Sequence, residues 1–381
     1  MRTIEVQDVN VVKEGEESPI HGDLLEVVMS NVPLIDLVSA CRVSKSWCYA
    51  VLSSLFHLKK LKPWVVIHTE STNSVSKRMT HAYDPRSNTW VEIINSPLNH
   101  FGTSTLCSSG SSTLVYKFSN KELTFSSDPF HQNWTRISPP TVWRVDPIVT
   151  QVGRHIIVAG GVMYFEEDPL SVEMYDMDTS QWSTCQSIPD ILKDSSTSTW
   201  LSIASNQTNL YVTQKASGLT YSFTPHANTW SGPYDLNPDP RVFFSAIGFV
   251  GDDLILAGLI GHAENVKSLK LWKINPELAE FNEIAEIPAE LLEELKGESW
   301  NFSSISLLAS NDFIYIYKNS DSKVIIYCEY VDGVWKWGSV KNMVWDETRI
   351  KDRMVMSCTR VGISDLHKAM NSGKCRFSVK T

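Results

Sequence analysis

The chain contains 381 residues, of which 42% are hydrophobic and 20% charged, and its formal net charge is −9. This composition supplies enough apolar material for a packed core and too little charge for a disordered chain. An acidic surface has no overall attraction for nucleic-acid phosphates or anionic lipid, so we expect no nucleic acid and no membrane among its partners.

The N-terminal segment is polar and acidic, and we expect residues 1–19 to form a flexible tail. It contains no basic segment followed by an apolar run, so the pattern predicts no signal peptide. The seven cysteines follow no zinc-binding spacing, which predicts reduced thiols and no structural metal. Together these features favour a cytoplasmic location, a nuclear one, or both.

Residues 20–61 follow a helical period. Leu24, Leu25 and Val28 fall on one face of a first helix, and Pro33 separates it from a second. A third short helix follows after a further turn. Three helices in so short a segment bury little area, so we expect this unit to be stabilised by packing against a partner or against the rest of the chain.

The helical segment resembles an F-box. The resemblance lies in the Val32-Pro33 pair after the first helix and in the run Val43-Ser44-Lys45-Ser46-Trp47 that opens the third. It departs from the family at its start, where Ile20-His21 replaces a Leu-Pro pair, and a generic three-helix adaptor is the alternative. The resemblance implies that a Skp-type adaptor, and through it a cullin, is bound by Leu24, Leu25, Val28, Val32, Pro33, Leu37, Val43 and Trp47.

The remainder of the chain is a degenerate repeat. An aromatic residue ends one apolar run, a turn rich in Asp, Pro, Ser and Asn follows, and a second aromatic opens the next run. These second aromatics recur at intervals of about 44–54 residues, and each interval holds four short strand-like runs. Units of this kind are typical of propeller blades. The closing aromatics are Trp90, Trp134, Trp182, Trp230, Phe281 and Trp335.

Six closing aromatics predict a mainly β, six-bladed propeller over residues 64–360. The first period is short of one strand, and an extra apolar run follows the last Trp. We therefore expect residues 354–359 to supply the inner strand of the first blade, which leaves no free sheet edge. Residues 361–381 are then a C-terminal tail, for which we expect no role in folding.

The repeat resembles the kelch family, whose paired glycines appear once in full as Gly160-Gly161 and elsewhere only in part. An F-box followed by a kelch-type propeller resembles the plant F-box/kelch proteins. That resemblance implies a substrate receptor of a Skp–cullin–F-box ubiquitin ligase, in which the propeller holds a protein substrate. A kelch scaffold with a vestigial F-box, and an F-box-associated β-domain in place of kelch blades, are the alternatives.

The sequence offers no catalytic machinery. It contains no G-x-S-x-G, phosphate-binding loop or H-E-x-x-H pattern, and the iron-binding Glu-x3-Asp-x3-His run of plant kelch-type specifier proteins is absent. We therefore expect no enzyme activity, no catalytic residue, no metal site and no cofactor.

The candidate substrate site lies at the mouth of the central channel, where the chain enters the inner strand of each blade. Arginine and tryptophan are enriched at binding hot spots, so these positions predict contacts to an acidic protein. Within the family such substrates include biosynthetic enzymes, among them those of phenylpropanoid and flavonoid metabolism. The alternative is local pairing of each arginine with Asp146, Asp239 or Asp352. The positions are His100, Arg144, Trp200, Arg241, Trp300 and Arg353.

An acidic insertion interrupts the repeat at residues 275–298, which hold eight acidic residues and one lysine. Its second half predicts a short helix that starts after Pro288 and ends at Gly297, with an apolar stripe at Leu291, Leu292 and Leu295. The helix either packs on the rim of the propeller or contacts the substrate.

Overall fold

The structure is a computed structural model. It describes residues 22–58, 61–70, 78–94, 105–109, 113–161, 169–275, 277–345 and 353–380. The acidic tail predicted over residues 1–19 lies outside the described residues, and so do His100 and Asp352.

Three helices form the N-terminal unit: α1 (Asp23–Asn31), α2 (Leu34–Ala40) and α3 (Lys45–Ser53), which continues into a π-helical turn over Ser54–Leu58. The backbone of Pro33 is extended, and this residue separates α1 from α2 because proline cannot donate the hydrogen bond that would continue a helix.

Twenty-five strands make up most of the rest of the described chain. They are β1 (Pro63–Glu70), β2 (Arg78–Asp84), β3 (Thr89–Ile94), β4 (Leu106–Ser108), β5 (Val115–Phe118), β6 (Leu123–Ser126), β7 (Thr135–Ile137), β8 (Ile148–Val152), β9 (His155–Ala159), β10 (Val172–Asp176), β11 (Gln181–Cys185), β12 (Leu201–Ser205), β13 (Leu210–Gln214), β14 (Leu219–Thr224), β15 (Thr229–Asp235), β16 (Val242–Val250), β17 (Asp253–His262), β18 (Asn265–Ile274), β19 (Phe281–Glu286), β20 (Ser306–Ser310), β21 (Phe313–Tyr317), β22 (Val324–Val331), β23 (Val334–Lys341), β24 (Arg353–Arg360) and β25 (Arg376–Lys380).

The strands form six antiparallel sheets arranged as the blades of a propeller. Five sheets have four strands in chain order, and their first strands, β4, β8, β12, β16 and β20, surround the central channel. The remaining sheet has the order β24-β1-β2-β3-β25, so its inner strand comes from the C-terminal part of the chain. The mainly β, six-bladed propeller behind a three-helix unit is confirmed.

The recurring aromatic motif of the sequence is a cross-strand pair between the third and fourth strands of a blade. Such pairs stabilise a sheet beyond the area that they bury. The pairs are Tyr83–Trp90, Tyr175–Trp182, Phe223–Trp230 and Tyr330–Trp335, with ring centroids 5.2, 5.3, 5.0 and 5.2 Å apart. The turn inside each motif places a non-glycine residue at positive φ, a conformation that Asn and Asp tolerate better than most residues. These residues are Asn88, Ser180, Asn228 and Asp332.

Two of the tryptophans also join neighbouring blades. The indole N–H of Trp182 donates to the carbonyl oxygen of Ser138 at 3.0 Å, and that of Trp230 donates to the carbonyl oxygen of Gln186 at 3.0 Å. Ser138 and Gln186 each follow the outer strand of the preceding blade. The motif therefore serves both the hairpin and the seam between blades.

The connections of the propeller divide between two faces because the strands of each blade are antiparallel. The connection into a first strand and the connection between the second and third strands share one face, the entrance face. Turns between the first and second and between the third and fourth strands share the other, the hairpin face. The described residues of the entrance face are 119–122, 138–147, 160–161, 169–171, 186–200, 215–218, 236–241, 263–264, 287–305, 318–323 and 342–345. Those of the hairpin face are 85–88, 109, 113–114, 127–134, 153–154, 177–180, 206–209, 225–228, 251–252, 275, 277–280, 311–312 and 332–333.

The three helices are fixed to blade 1 at the hairpin face. The guanidinium of Arg86 donates to the carbonyl oxygens of Met29 at 3.0 Å and Val32 at 2.8 Å, which satisfies the C-terminal end of α1. The carboxylate of Asp84 accepts a hydrogen bond from the backbone N–H of Leu34 at the start of α2, at 3.3 Å. Arg86 and Asp84 are buried, so these bonds lie inside the junction.

The C-terminal segment differs from the tail predicted for residues 361–381. It forms a fifth helix, α5 (Ile363–Asn371), which packs against α2, and strand β25, which pairs with the outer strand β3. Phe377 on β25 meets Phe130 with ring centroids 5.2 Å apart, and Leu366 on α5 is buried. The short apolar stripe of this segment gains its stability from tertiary packing, which its local sequence does not reveal.

Deleting residues 363–381 should therefore destabilise the protein. The deletion leaves the edge of β3 unpaired and uncovers apolar side chains of α2, so we expect the melting temperature to fall by roughly 5–10 °C. Leu366→Ala should cost about 2–5 kcal/mol because it leaves a cavity. Lys368→Ala, on the exposed side of the same helix, is the matched control. A deletion with an unchanged melting curve would show that the segment is dispensable after all.

Candidate functional site

Helix α1 divides its apolar residues between two faces. Leu25 and Met29 are each 2% exposed and point into the core shared with blade 1. Leu24, Val27 and Val28 are 60%, 50% and 40% exposed on the opposite side. An exposed apolar stripe of this kind is typical of a surface that another protein covers.

Helix α3 and the turn after it carry a second set of exposed apolar side chains. The hydroxyl of Ser44 caps the helix by accepting a hydrogen bond from the N–H of Trp47 at 3.2 Å. Tyr49, Leu52 and Phe56, at helical spacing, are 73%, 52% and 73% exposed. They flank an open groove of about 820 Å³ that runs between α1 and α3.

The predicted adaptor-binding residues fall into three groups. Leu24, Val28 and Val43 are exposed, Val32, Pro33 and Trp47 are half-buried, and Leu25 and Leu37 are buried. Leu37 differs from the prediction, because its side chain belongs to the internal core and cannot reach a partner without unfolding. Leu25 belongs to the same core but also lines the groove between α1 and α3. The prediction missed Val27, Tyr49, Leu52 and Phe56, which the i, i+3 spacing within α1 and α3 could have revealed.

The central channel opens at the entrance face as a cavity of about 960 Å³ lined by residues of all six inner strands. Trp200 and Arg353, both predicted mouth residues, line it. Lys215, which the prediction missed, also lines it and donates to the carbonyl oxygens of Ser198 and Thr199 at 3.2 and 2.8 Å. Burial lowers the pKa of Lys215 to about 8.

Asp146 links the connection that enters β8 to the connection that enters β12, the inner strands of two neighbouring blades. Its carboxylate accepts hydrogen bonds from the hydroxyl of Ser198 and from the N–H and hydroxyl of Thr199, the last two at 3.0 and 2.6 Å. This aspartate therefore pairs with the next connection and not with Arg144. Three hydrogen bonds fix one wall of the channel mouth.

Arg144 differs most from its predicted role. Its side chain is fully buried, and its guanidinium donates to Glu173 at 2.6 Å and to the carbonyl oxygens of Ser171 and Gly160 at 2.5 and 3.5 Å. The partner Glu173 is itself buried and also accepts from the N–H of Thr141 at 2.7 Å. Arg144 fixes the connection that enters β8 to strand β10 of the same blade, and its side chain is not accessible to a ligand.

The other mouth residues differ in availability. Arg241 is exposed but forms a two-bonded ion pair with Asp239, at 3.0 and 2.6 Å. This pair raises the pKa of Arg241 and lowers that of Asp239 to about 2. Arg353 is exposed beside Cys107, with Nη2 3.4 Å from the sulfur. Trp300 is 78% exposed and does not line the channel.

The part of the chain that the structure describes contains no metal-binding cluster and no candidate membrane-spanning helix. No group of three or more His, Cys, Asp or Glu side chains there is placed to hold a metal ion. None of the described helices is long and apolar enough to cross a bilayer.

The geometry defines a protein-binding receptor with two separate surfaces, an apolar helical one at the hairpin face and a channel mouth at the entrance face. The F-box domain family matches residues 22–59. Over 373 residues the chain is 39% identical to the F-box/kelch-repeat protein At1g23390 of Arabidopsis thaliana, and the match covers 94% of each chain. The chain therefore belongs to the F-box/kelch-repeat family.

A solved structure of a nidogen/laminin complex also overlaps with the propeller. It covers 78% of this chain and 99% of its own chain, with 11% sequence identity and a TM-score of 0.44. A likeness this weak supports no statement about function.

Replacing Arg144 should lower the stability of the fold, because its side chain has a structural role. Arg144→Ala leaves the buried Glu173 carboxylate without its cation, so we expect the free energy of unfolding to fall by about 3–5 kcal/mol. Arg241→Ala, which removes an exposed pair, should change it by less than about 1 kcal/mol. Urea unfolding of both variants measures the difference. Equal stability of Arg144→Ala and the wild type would return Arg144 to the list of candidate ligand contacts.

Proposed function

We propose that this chain is the substrate-recognition subunit of a Skp–cullin–F-box ubiquitin ligase. The F-box docks on a Skp-type adaptor, which links it to a cullin, and the propeller holds a protein substrate for ubiquitination and proteasomal turnover. The observation that carries this proposal is the exposed apolar stripe of the F-box, on the side turned away from the propeller.

The stripe is large enough and of the right chemistry for a stable interface. Tyr49 and Phe56 are each 73% exposed, and an aromatic side chain of this kind removes on the order of 150 Å² from water when a partner covers it. Aromatic anchors surrounded by aliphatic contacts are the usual composition of binding hot spots. Leu24, Val27 and Leu52 supply those aliphatic contacts.

The substrate surface lies on the opposite face of the propeller. The F-box contacts the β2–β3 turn at the hairpin face, whereas the channel opens at the entrance face. Buried hydrogen bonds and a shared core hold the F-box, so a bound substrate keeps a fixed distance from the adaptor. A fixed geometry favours transfer of ubiquitin to a substrate lysine because it limits the volume that the lysine explores.

The role is that of a non-catalytic adaptor acting in the cytoplasm, the nucleus or both. Biosynthetic enzymes of phenylpropanoid or flavonoid metabolism remain the substrates that the family resemblance suggests. Two of the three arginines on which the expectation of an acidic partner rested are not free to bind one, because Arg144 is buried and Arg241 is paired with Asp239.

Loss of the exposed stripe should abolish adaptor binding without unfolding the protein. In Leu52→Asp/Phe56→Asp, two carboxylates replace exposed apolar side chains, so we expect affinity for a purified Skp-type adaptor to fall at least about tenfold with the melting temperature almost unchanged. Ile191→Asp/Val334→Asp changes two propeller residues of 62% and 59% exposure and is the matched control.

Co-purification with the adaptor measures both variants. Retained binding by Leu52→Asp/Phe56→Asp would contradict the docking surface, and absence of binding by the wild type would favour a kelch scaffold with a vestigial F-box.

A further inference from the structure

The large exposed apolar side chains of the propeller are concentrated on the entrance face. Trp300, at 78%, is the most exposed of them, and its indole lies in water. A protein surface that keeps such rings exposed on one face marks an interaction site. These side chains on the entrance face are Trp143, Val145, Ile191, Trp200, Trp300 and Met343.

Trp300 follows a helix with one unpartnered face. Helix α4 (Ala289–Lys296) buries Leu292 and Leu295 between blades 5 and 6, and Lys318 donates to its last carbonyl oxygen, on Lys296, at 3.4 Å. The outward face of α4 carries only Glu290, Glu293 and Glu294 as charged side chains. Gly297, at φ 59°, ends the helix and turns the chain toward Trp300.

The net charge of this sector is negative. Glu293 pairs with Lys296 at 2.6 Å, but within the described residues no ion pair reaches Glu290, Glu294 or Glu298. The carboxylates of the sector outnumber its lysines. The carboxylates are Glu264, Glu290, Glu293, Glu294, Glu298 and Asp321, and the lysines are Lys267, Lys296, Lys318 and Lys323.

Asp321 supplies an independent sign of a missing donor. It lies on the β21–β22 connection, where a Cβ built on Gly297 would be 3.8 Å from its Oδ2 atom. Its Oδ1 atom is buried and accepts no hydrogen bond from any described residue. A buried acceptor without a donor is costly, and the carboxylate already interacts as a charge with the nearby Lys318 ammonium. The neighbouring Asn319 and Ser322 line the channel, which makes the sector continuous with the mouth.

We propose that α4, Trp300 and Asp321 form a docking surface for a basic segment of the substrate polypeptide. A lysine or arginine of that segment stacks on the Trp300 indole through a cation–π contact, while neighbouring basic side chains pair with the carboxylates of α4. This inference rests on the proposed function and names the class of substrate segment that the entrance face selects.

Charge complementarity excludes other classes of partner at this surface. Nucleic acid and anionic lipid would be repelled by α4, and an acidic peptide would meet like charge. A basic segment is also steered toward an acidic rim at moderate salt, which raises its rate of association.

The test uses labelled basic, neutral and acidic peptides of equal length and one aromatic residue each, with the full chain at about 150 mM salt and fluorescence anisotropy as the readout. Glu290→Lys/Glu294→Lys reverses two charges on one face of α4, and Trp300→Ala removes the ring. The matched control, Asp252→Lys/Asp312→Lys, reverses two exposed charges on the hairpin face.

We expect the wild type to prefer the basic peptide by at least about tenfold over the acidic one. The α4 variant should lose about tenfold in affinity for it and Trp300→Ala about threefold, since an exposed cation–π contact contributes modestly. The control should stay within about twofold of the wild type, because distant exposed charges are screened.

Equal binding of the acidic and basic peptides, an equal loss in the control, or an unchanged α4 variant would overturn the proposal. Self-association of the chain through this face, abolished by the α4 variant in sedimentation, would also overturn it. Each variant is also assayed for adaptor co-purification. If the variants still co-purify with the adaptor but the peptide results differ from those expected, only this docking surface is contradicted. If the wild type does not bind the adaptor, the proposed function is contradicted.

Discussion

The apolar core that joins α1–α3, blade 1 and the C-terminal segment is the contact on which the arrangement of the two binding surfaces depends. Trp64 and Val66 of β1 lie in it beside Leu37 of α2 and Leu366 of α5. Three short helices cannot bury enough area to be stable alone, so they pack against blade 1. Because one side of the F-box is used for this purpose, its remaining apolar side chains stay exposed.

The same junction explains the shape of blade 1. Its inner strand β24 and its outer strand β25 both lie nearly 300 residues after β1–β3 in sequence, so blade 1 is closed on each side by a distant segment of the chain. Closure of the ring, attachment of the F-box and folding of the C-terminal segment are therefore coupled. The F-box and the entrance face of the propeller therefore belong to one continuous body and keep a fixed position relative to each other.

Local sequence patterns predicted the propeller well because most strands of a blade are consecutive in the sequence. The Tyr83–Trp90 pair and its turn lie within one hairpin, so their spacing is visible in the sequence. Partners that are distant in sequence were not predictable: Arg144 meets Glu173 on another strand, and β25 pairs with β3 far upstream. The sequence analysis placed Leu24, Leu25 and Val28 on one face of α1, and this was wrong, because the structure buries Leu25 in the shared core and leaves Leu24 and Val28 exposed.

Native-state hydrogen exchange resolved along the chain tests the shared core most directly, because it reports the free energy of opening for each segment. If the F-box and blade 1 are one cooperative unit, the buried amides of α1–α3 should exchange with the same opening free energy as those of β1–β3, within about 1 kcal/mol. Exchange of the helical amides through a separate opening of only about 1–2 kcal/mol, with β1–β3 still protected, would contradict the account.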